Sequence, residues 1–220
     1  IIREYSTVNR GTTATGHTSV GAHCFLMTYV HVAHDCHLGD HVTIANGTQM
    51  AGHVTVQDHA VISGLNAIHQ FVTIGAYSFV GGASRVNQDV PPFTKAVGSP
   101  IELYGLNAVL MQRLGFPAET MVALKRAYRI VFNSDLSLSR AVARAREEVP
   151  PLPADLRRQG LRVVLFPVRA LGVVVGAEER QQSLRRLPHV GVGLARLVVT
   201  LVVLARWRQL RQLVVNRVGV

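Results

Sequence analysis

Cys24 and Cys36 are the only cysteines in 220 residues. Two are too few for a disulfide framework and suit a reducing compartment such as the cytoplasm. Charge is also sparse, at 16% of residues against 48% hydrophobic, which excludes disorder as a description of the whole chain. No apolar run approaches the roughly 20 residues a membrane-spanning helix needs, so no transmembrane segment is expected. The chain opens Ile1-Ile2-Arg3-Glu4, without an initiator Met or a basic-then-apolar leader. It therefore reads as starting inside a domain, with no signal peptide.

The formal net charge of +10 is unevenly placed. Residues 161–220 carry ten Arg and no Lys against Glu178 and Glu179, leaving 13 basic and 11 acidic side chains for residues 1–160. A basic balance confined to one end is no argument for a nucleic-acid partner. That end is also compositionally apart: Val, Leu and Arg make up 37 of its 60 positions. It reads either as a membrane-surface segment built on Leu197–Leu204 or as a terminus that is not native. The lack of local consistency favours the second.

What is abundant is order of period six. Val20, Leu26, Val32, Leu38, Ile44, Met50, Val56, Ile62, Ile68, Ile74, Val80 and Val86 are twelve consecutive aliphatics at that spacing. Val8 and Ile2 extend the phase backward through a weak step at Ala14, inside Thr12–Ser19, a segment that reads as looped out of the repeat. Neither a helix of period 3.6 nor a sheet of period 2 gives this pattern. A chain that turns a corner every six residues does. Three such units close one triangular coil, and stacked coils bury an aliphatic column. The expectation is an all-β left-handed parallel β-helix over residues 1–89, with the small residues that follow eight of the twelve aliphatics (Gly21, Ala33, Gly39, Gly75 among them) at tight corners.

Pro91 and Pro92 read as the stop of the ladder, and residues 90–150 as a small α-helical domain. One helix is expected after Pro117, carrying Met121, Leu124, Ala127, Ile130 and Val131. A second is expected from Ser134 or Asp135, carrying Leu136, Leu138, Ala141, Val142 and Ala145.

Nine of the ten histidines lie between His17 and His69. With 18 residues per coil, His31, His34, Gly52, His53, His69 and Gln70 fall near one another on a wall. His34 beside Asp35 is a general-base arrangement, in which a carboxylate fixes the ring tautomer and supports the imidazolium. Solvated wall histidines, a subunit interface, or a zinc site are the other readings of the same cluster.

Four blocks carry a family resemblance: Leu26–Cys36 (containing His31-Val32-Ala33-His34-Asp35), Ala51-Gly52-His53-Val54, Ala67-Ile68-His69-Gln70-Phe71 and Gln88–Phe93. In order and spacing they resemble the UDP-N-acetylglucosamine O-acyltransferases of lipid A biosynthesis, over about residues 1–150. The resemblance implies transfer of an (R)-3-hydroxyacyl chain from acyl carrier protein to a sugar 3-hydroxyl. It implies no cofactor beyond the carrier's phosphopantetheine thioester, and it implies a cytoplasmic homotrimer missing its first coils. It further implies His34 as general base, Asp35 as its orienting carboxylate and the Gly52 N–H as oxyanion donor. His31, His53, His69, Gln70, Asn107 and Arg113 would contact substrate, and Gly82 would end the acyl groove. Rivals are another hexapeptide acyltransferase (N-acyl or acyl-CoA dependent), a carbonic-anhydrase-like zinc β-helix and a non-catalytic scaffold trimer.

Overall fold

The computed structural model describes residues 1–150; the readings made for residues 151–220 lie outside the described residues. Each of the twelve aliphatics counted in sixes is the second residue of a two-residue strand. The strands form three parallel ladders. The first wall is β1 (Thr7–Val8), β4 (His31–Val32), β7 (Gln49–Met50), β10 (Ala67–Ile68) and β13 (Arg85–Val86). The second is β2 (Ser19–Val20), β5 (His37–Leu38), β8 (Thr55–Val56) and β11 (Thr73–Ile74). The third is β3 (Phe25–Leu26), β6 (Thr43–Ile44), β9 (Val61–Ile62) and β12 (Phe79–Val80), continued by β14 (Thr94–Val97) and β15 (Glu102–Leu106). Consecutive strands of a wall pair at an offset of 18, as His31 with Gln49 and Gln49 with Ala67. This is the left-handed β-helix expected from the period.

A two-residue strand has no stability of its own, so the coils hold one another. Ladder bonds run from coil to coil (Ala51 N–H to the Ile68 carbonyl at 3.0 Å), and Leu26, Val32, Ile44, Ile62, Ile74, Val80 and Val86 are fully buried along the axis. Burial of each such side chain contributes roughly 1.5–3 kcal/mol.

The corners differ from expectation. The left-handed residue lies three positions after the aliphatic, at His23, Asp35, His41, His53, His59, Phe71 and Tyr77 among others, all with φ between 56° and 68°. The small residue directly after the aliphatic is needed for a different reason: a Cβ on Gly39 would meet the Asp58 side chain, and one on Gly75 would meet Pro92. Because the left-handed positions superpose, their rings stack. His23, His41, His59, Tyr77 and Phe93 form one file down the corner between second and third walls, with centroids 4.8, 4.6, 4.7 and 5.3 Å apart.

Two interruptions matter. Thr7 pairs with His31, an offset of 24 in place of 18, so one whole hexad is looped out between β1 and β2, where the weak step at Ala14 pointed. At the other end the prolines do not stop the ladder. Val90 bridges Ile74, and β14 pairs in parallel with β12 before β15 returns antiparallel. Strands therefore occupy part of the 90–150 segment read as α-helical.

Three helices follow: α1 (Ala108–Arg113), α2 (Ala118–Phe132) and α3 (Leu138–Glu148). Pro117 caps α2 as expected, but α3 starts after Ser137, later than Ser134. The Ser134 hydroxyl donates back to the Ile130 carbonyl, finishing α2. Met111 and Leu124 pack on Tyr77 and Phe93, which seats the helices on the ring file, while Ala123 and Ile130 meet Ala141 and Ala145 of α3.

Burial, and then the adjacent His41, push the His59 imidazole below its ordinary value, against a weaker opposing pull from Asp58 and Asp40. A depressed folded value means this contribution to stability is present above the unfolded value near 6.5 and is lost as pH falls through the folded one. His59→Phe keeps the stack and removes the proton site. Its melting temperature should fall less than the parent's between about pH 7.5 and 5.5; equal slopes in thermal denaturation would contradict the assignment.

Candidate active site

The corner between the first and second walls gathers His34, Asp35, Gly52 and His53. Asp35 is the left-handed residue of its turn (φ 60°), which swings its carboxyl back toward the preceding side chain. His34 Nδ1 lies 2.8 Å from Asp35 Oδ2. Asp35 occupies the middle of a six-residue unit, where side chains point out of the coil. It does leave the aliphatic column, yet its side chain is 0% exposed against 39% for His34. The looped-out hexad covers it. The Thr12 N–H donates to Oδ1 at 3.0 Å, the Thr12 hydroxyl to Oδ2 at 2.6 Å, and the Thr15 hydroxyl to Oδ1. Asp35's own N–H donates to Thr18 Oγ1 at 2.8 Å. Burial opposes the charged form of Asp35, but the bonds from Thr12, Thr15 and His34 outweigh it and hold the carboxyl well below the usual carboxylate range.

An ionised carboxylate only accepts hydrogen bonds, so His34 Nδ1 carries the ring proton and Nε2 keeps its lone pair. The half-exposed ring presents that nitrogen to solvent beside Gly52. A Cβ at Gly52 would sit 2.7 Å from His34 Nε2 and 2.5 Å from Cε1, so only glycine fits beneath the ring. At the corner of the second and third walls three amides in the equivalent place are bonded by a side chain: Ala22 N–H to Asp40, Asp40 N–H to Asp58, Ala76 N–H to Gln57. The Gly52 N–H makes no hydrogen bond among the described residues, although Gly52 is buried. A free, fixed donor therefore stands beside a free imidazole nitrogen.

His53 stacks on Phe71 (4.8 Å), sits edge-on to His34 (5.2 Å) and brings Nε2 to 3.8 Å from Asp35 Oδ2. The donor atoms of His34, Asp35 and His53 lie within 4.8 Å of one another, the spacing of a metal-ligand set. Within this group His34 Nδ1 faces Asp35, and both carboxylate oxygens accept hydrogen bonds from threonines. Cys36 is buried with its thiol pushed up by burial, a core residue and no nucleophile.

The other expected residues divide. His31 stands on the first wall with Nδ1 2.7 Å from Thr7 Oγ1. Gln70 lies one coil beyond Gly52 and His69 beside it, both exposed. Gly82 is at the opposite edge of the same wall, on the corner with the third wall. Asn107 and Arg113 are not on this wall. Asn107 is buried at the corner of second and third walls, its Nδ2 donating to the Tyr77 carbonyl at 3.0 Å and its Oδ1 capping Leu110 of α1. Arg113 is exposed at the end of α1. Thr12, Thr15 and Thr18 were not singled out from the sequence. The signal available was a hydroxyl-rich break in the hexad one coil before His34.

Comparison with known proteins agrees with this geometry. Residues 17–52 match the family described as bacterial transferase hexapeptide (six repeats), and residues 89–159 match Udp N-acetylglucosamine O-acyltransferase, domain 2. An acyl-[acyl-carrier-protein]–UDP-N-acetylglucosamine O-acyltransferase from Verminephrobacter eiseniae is 47% identical over 150 residues, covering 68% of this chain and 57% of that protein. One from Burkholderia orbicola is 44% identical over 147 residues, 66% and 56% respectively. The solved structure of LpxA from Acinetobacter baumannii superposes with TM-score 0.70 at 36% identity, over 76% of this chain and 64% of that one. The UDP-N-acetylglucosamine acyltransferase of Bacteroides fragilis gives 0.68 at 38%, over 73% and 61%.

The β-helix with its His–Asp corner places the chain among the hexapeptide-repeat acyltransferases. Within that class it belongs to the UDP-N-acetylglucosamine O-acyltransferase family. The chain spans somewhat over half the length of the curated relatives it matches, 57% and 56% for the two above.

Asp35's lowered folded value stabilises the protein above the unfolded carboxylate value of about 4 and stops doing so as pH drops through the folded one. Asp35→Asn should therefore melt below the parent at neutral pH, with the gap narrowing below about pH 4. Melting curves with a constant gap down to about pH 2 would contradict this.

Proposed function

We propose that the protein is the acyltransferase its family name describes. It would move an (R)-3-hydroxyacyl chain from the phosphopantetheine thioester of acyl carrier protein to the 3-hydroxyl of UDP-N-acetylglucosamine, the first step of lipid A biosynthesis. The observation that carries the reading is the His34–Gly52 juxtaposition: a proton acceptor with a fixed tautomer beside a buried amide that makes no hydrogen bond among the described residues. In the reaction His34 Nε2 takes the 3-hydroxyl proton as the oxygen attacks the thioester carbon. The C–O bond forms, the carbonyl oxygen becomes an oxyanion facing the Gly52 N–H, and collapse breaks the C–S bond. The departing thiolate takes the proton back from His34, so the enzyme ends as it began. Asp35 stabilises the transient imidazolium without leaving its ionised form. The amide is worth about 3 kcal/mol if it acts as a typical oxyanion donor. No metal or bound cofactor is required by this scheme.

His31, His53, His69 and Gln70 border His34 along the wall and would contact the sugar nucleotide. Three coils, roughly 14 Å at about 4.8 Å per coil, separate β4 from β13, and the corner beside β13 is lined by Tyr29, Leu65 and Gly82. An acyl chain laid from His34 across the first wall would reach Gly82. A Cβ there would be 3.3 Å from the Gly64 carbonyl oxygen, so a side chain is accommodated by a small shift.

Asn107 and Arg113 sit at the far corner of the same prism. They can join His34 only from another copy, which supports a homotrimer in which one subunit's first wall faces another's helices. Arg113 then remains available for a phosphate of the sugar nucleotide or of phosphopantetheine, whereas Asn107 would act by anchoring α1. The two unpaired, buried cysteines suit a cytoplasmic setting.

His34→Ala should cut kcat by roughly 10²–10⁴ with acyl-carrier-protein donors; a parental rate would remove His34 from the mechanism. Gly82→Met should shift the preferred donor to a shorter chain, read as the ratio of kcat/KM for long and short acyl carriers. Equal use of both would remove Gly82 as the chain stop.

A further inference from the structure

The hexad looped out between β1 and β2 has no role in the aliphatic column. The coils before and after it pair across the gap, Thr7 with His31 and Ile2 with Leu26, as though it were not there. Its polar contacts converge on one side chain. Among the described residues, the Thr12 amide, the Thr12 hydroxyl and the Thr15 hydroxyl donate to the Asp35 carboxylate from this loop, and only His34 Nδ1 donates from elsewhere. The loop is itself braced for this contact. Gly16 N–H donates to the Thr12 carbonyl at 2.8 Å, Ala14 N–H to Thr12 Oγ1 at 3.2 Å, and His17 Nδ1 lies 3.1 Å from the Thr15 carbonyl oxygen. Thr18, at the loop's exit, accepts from the Asp35 N–H.

We propose that Thr12 and Thr15 are positioning residues for the His34–Asp35 pair, setting the plane of a buried carboxylate so that one oxygen faces the imidazole. The inference rests on the reading of His34 as general base. A carboxylate with no exposure and no partner but His34 would be free to rotate about its last torsion and would carry an uncompensated charge. Three loop donors remove both faults. Oδ1 is occupied by the Thr12 amide and Thr15, and Oδ2 is shared between Thr12 and His34, which leaves a single carboxylate orientation compatible with all four bonds. The imidazole inherits that orientation, and its Nε2 is thereby aimed over Gly52. The loop acts through Asp35 and then His34, and neither threonine touches the reacting atoms in this scheme.

The test uses Thr12→Val and Thr15→Val, singly and together, with Thr12→Ser as the conservative control, all in the full chain. Two readouts are taken. One is kcat and KM with an acyl-carrier-protein donor. The other is the downfield proton resonance of His34 Nδ1–H, assigned by its loss in Asp35→Asn. The expected result is a kcat lowered roughly tenfold or more in the double variant, with KM for the sugar nucleotide within about twofold and the His34 resonance shifted or broadened. Thr12→Ser should restore both. Thr15→Val alone keeps both Thr12 bonds, so it provides the comparison if the double variant does not fold. A parental kcat with an unmoved resonance overturns the proposal, as does a rise in KM with an unmoved resonance, which would make the loop a substrate contact. Should the parent prove inactive as an acyltransferase, the functional reading fails and the resonance still decides whether the threonines hold the pair.

Discussion

Eighteen residues bring this chain back above itself, and nearly everything else in the β-helix follows from that return. Each coil has too little strand to stand alone, and it persists because the aliphatic column and the ladder bonds above and below complete it. The same stacking that buries Leu26 over Ile44 and Ile44 over Ile62 imposes a rule on the outside: whatever residue occupies a given place in one coil lies over its counterpart 18 positions away. Corners become columns. A left-handed residue in one turn sits on the left-handed residue of the next, so bulky rings can occupy a costly backbone conformation and recover some of the cost by stacking. The file from His23 to Phe93 does this at one corner, and the helices seat on its end.

The candidate active site is the same rule applied at another corner. His34, Gly52 and Gln70 are a column, and Asp35, His53 and Phe71 are the column beside it. Position 52 suits glycine because an imidazole from the coil below occupies the space of a side chain, and its amide makes no hydrogen bond among the described residues. Stacking alone would leave Asp35 at a wall surface. The looped-out hexad converts an exposed carboxylate into a buried, fully bonded one, which remains ionised because its donors outweigh the cost of burial. Chemistry is thus placed where the repeat is regular and tuned where the repeat is broken.

Much of this was legible from residue order. The period-six aliphatics named the strands one by one, and the resemblance of the His31–Cys36 block led to His34, Asp35 and Gly52, which do meet. The misreadings have physical causes. Prolines at 91 and 92 suggested the end of a ladder, but they follow the last rung of the second wall, where no further described coil takes their amides, and the chain adds a rung to the third wall. Ser134 reads as a helix start because a serine can cap either way, and here it closes α2. Asn107 is no such case: its side chain bonds the Tyr77 carbonyl and the first turn of α1, which says nothing against the substrate contact its motif implies.

Sequence by itself determined the coil, because a period is a local count: once an inward residue recurs every six positions and three make a turn, register and columns have no freedom left. It also determined that an imidazole, a carboxylate and a glycine would share a corner. Tertiary structure alone decided that Asp35 is buried and bonded by Thr12 and Thr15, that Asn107 is buried against the Tyr77 carbonyl, and that Arg113 is exposed at the end of α1. Those outcomes depend on contacts between segments 20 or more residues apart whose spacing follows no repeat, as in the Thr12–Asp35 and Asn107–Tyr77 bonds. A loop's landing place is set by the surface it closes on, and no count along the chain contains that surface.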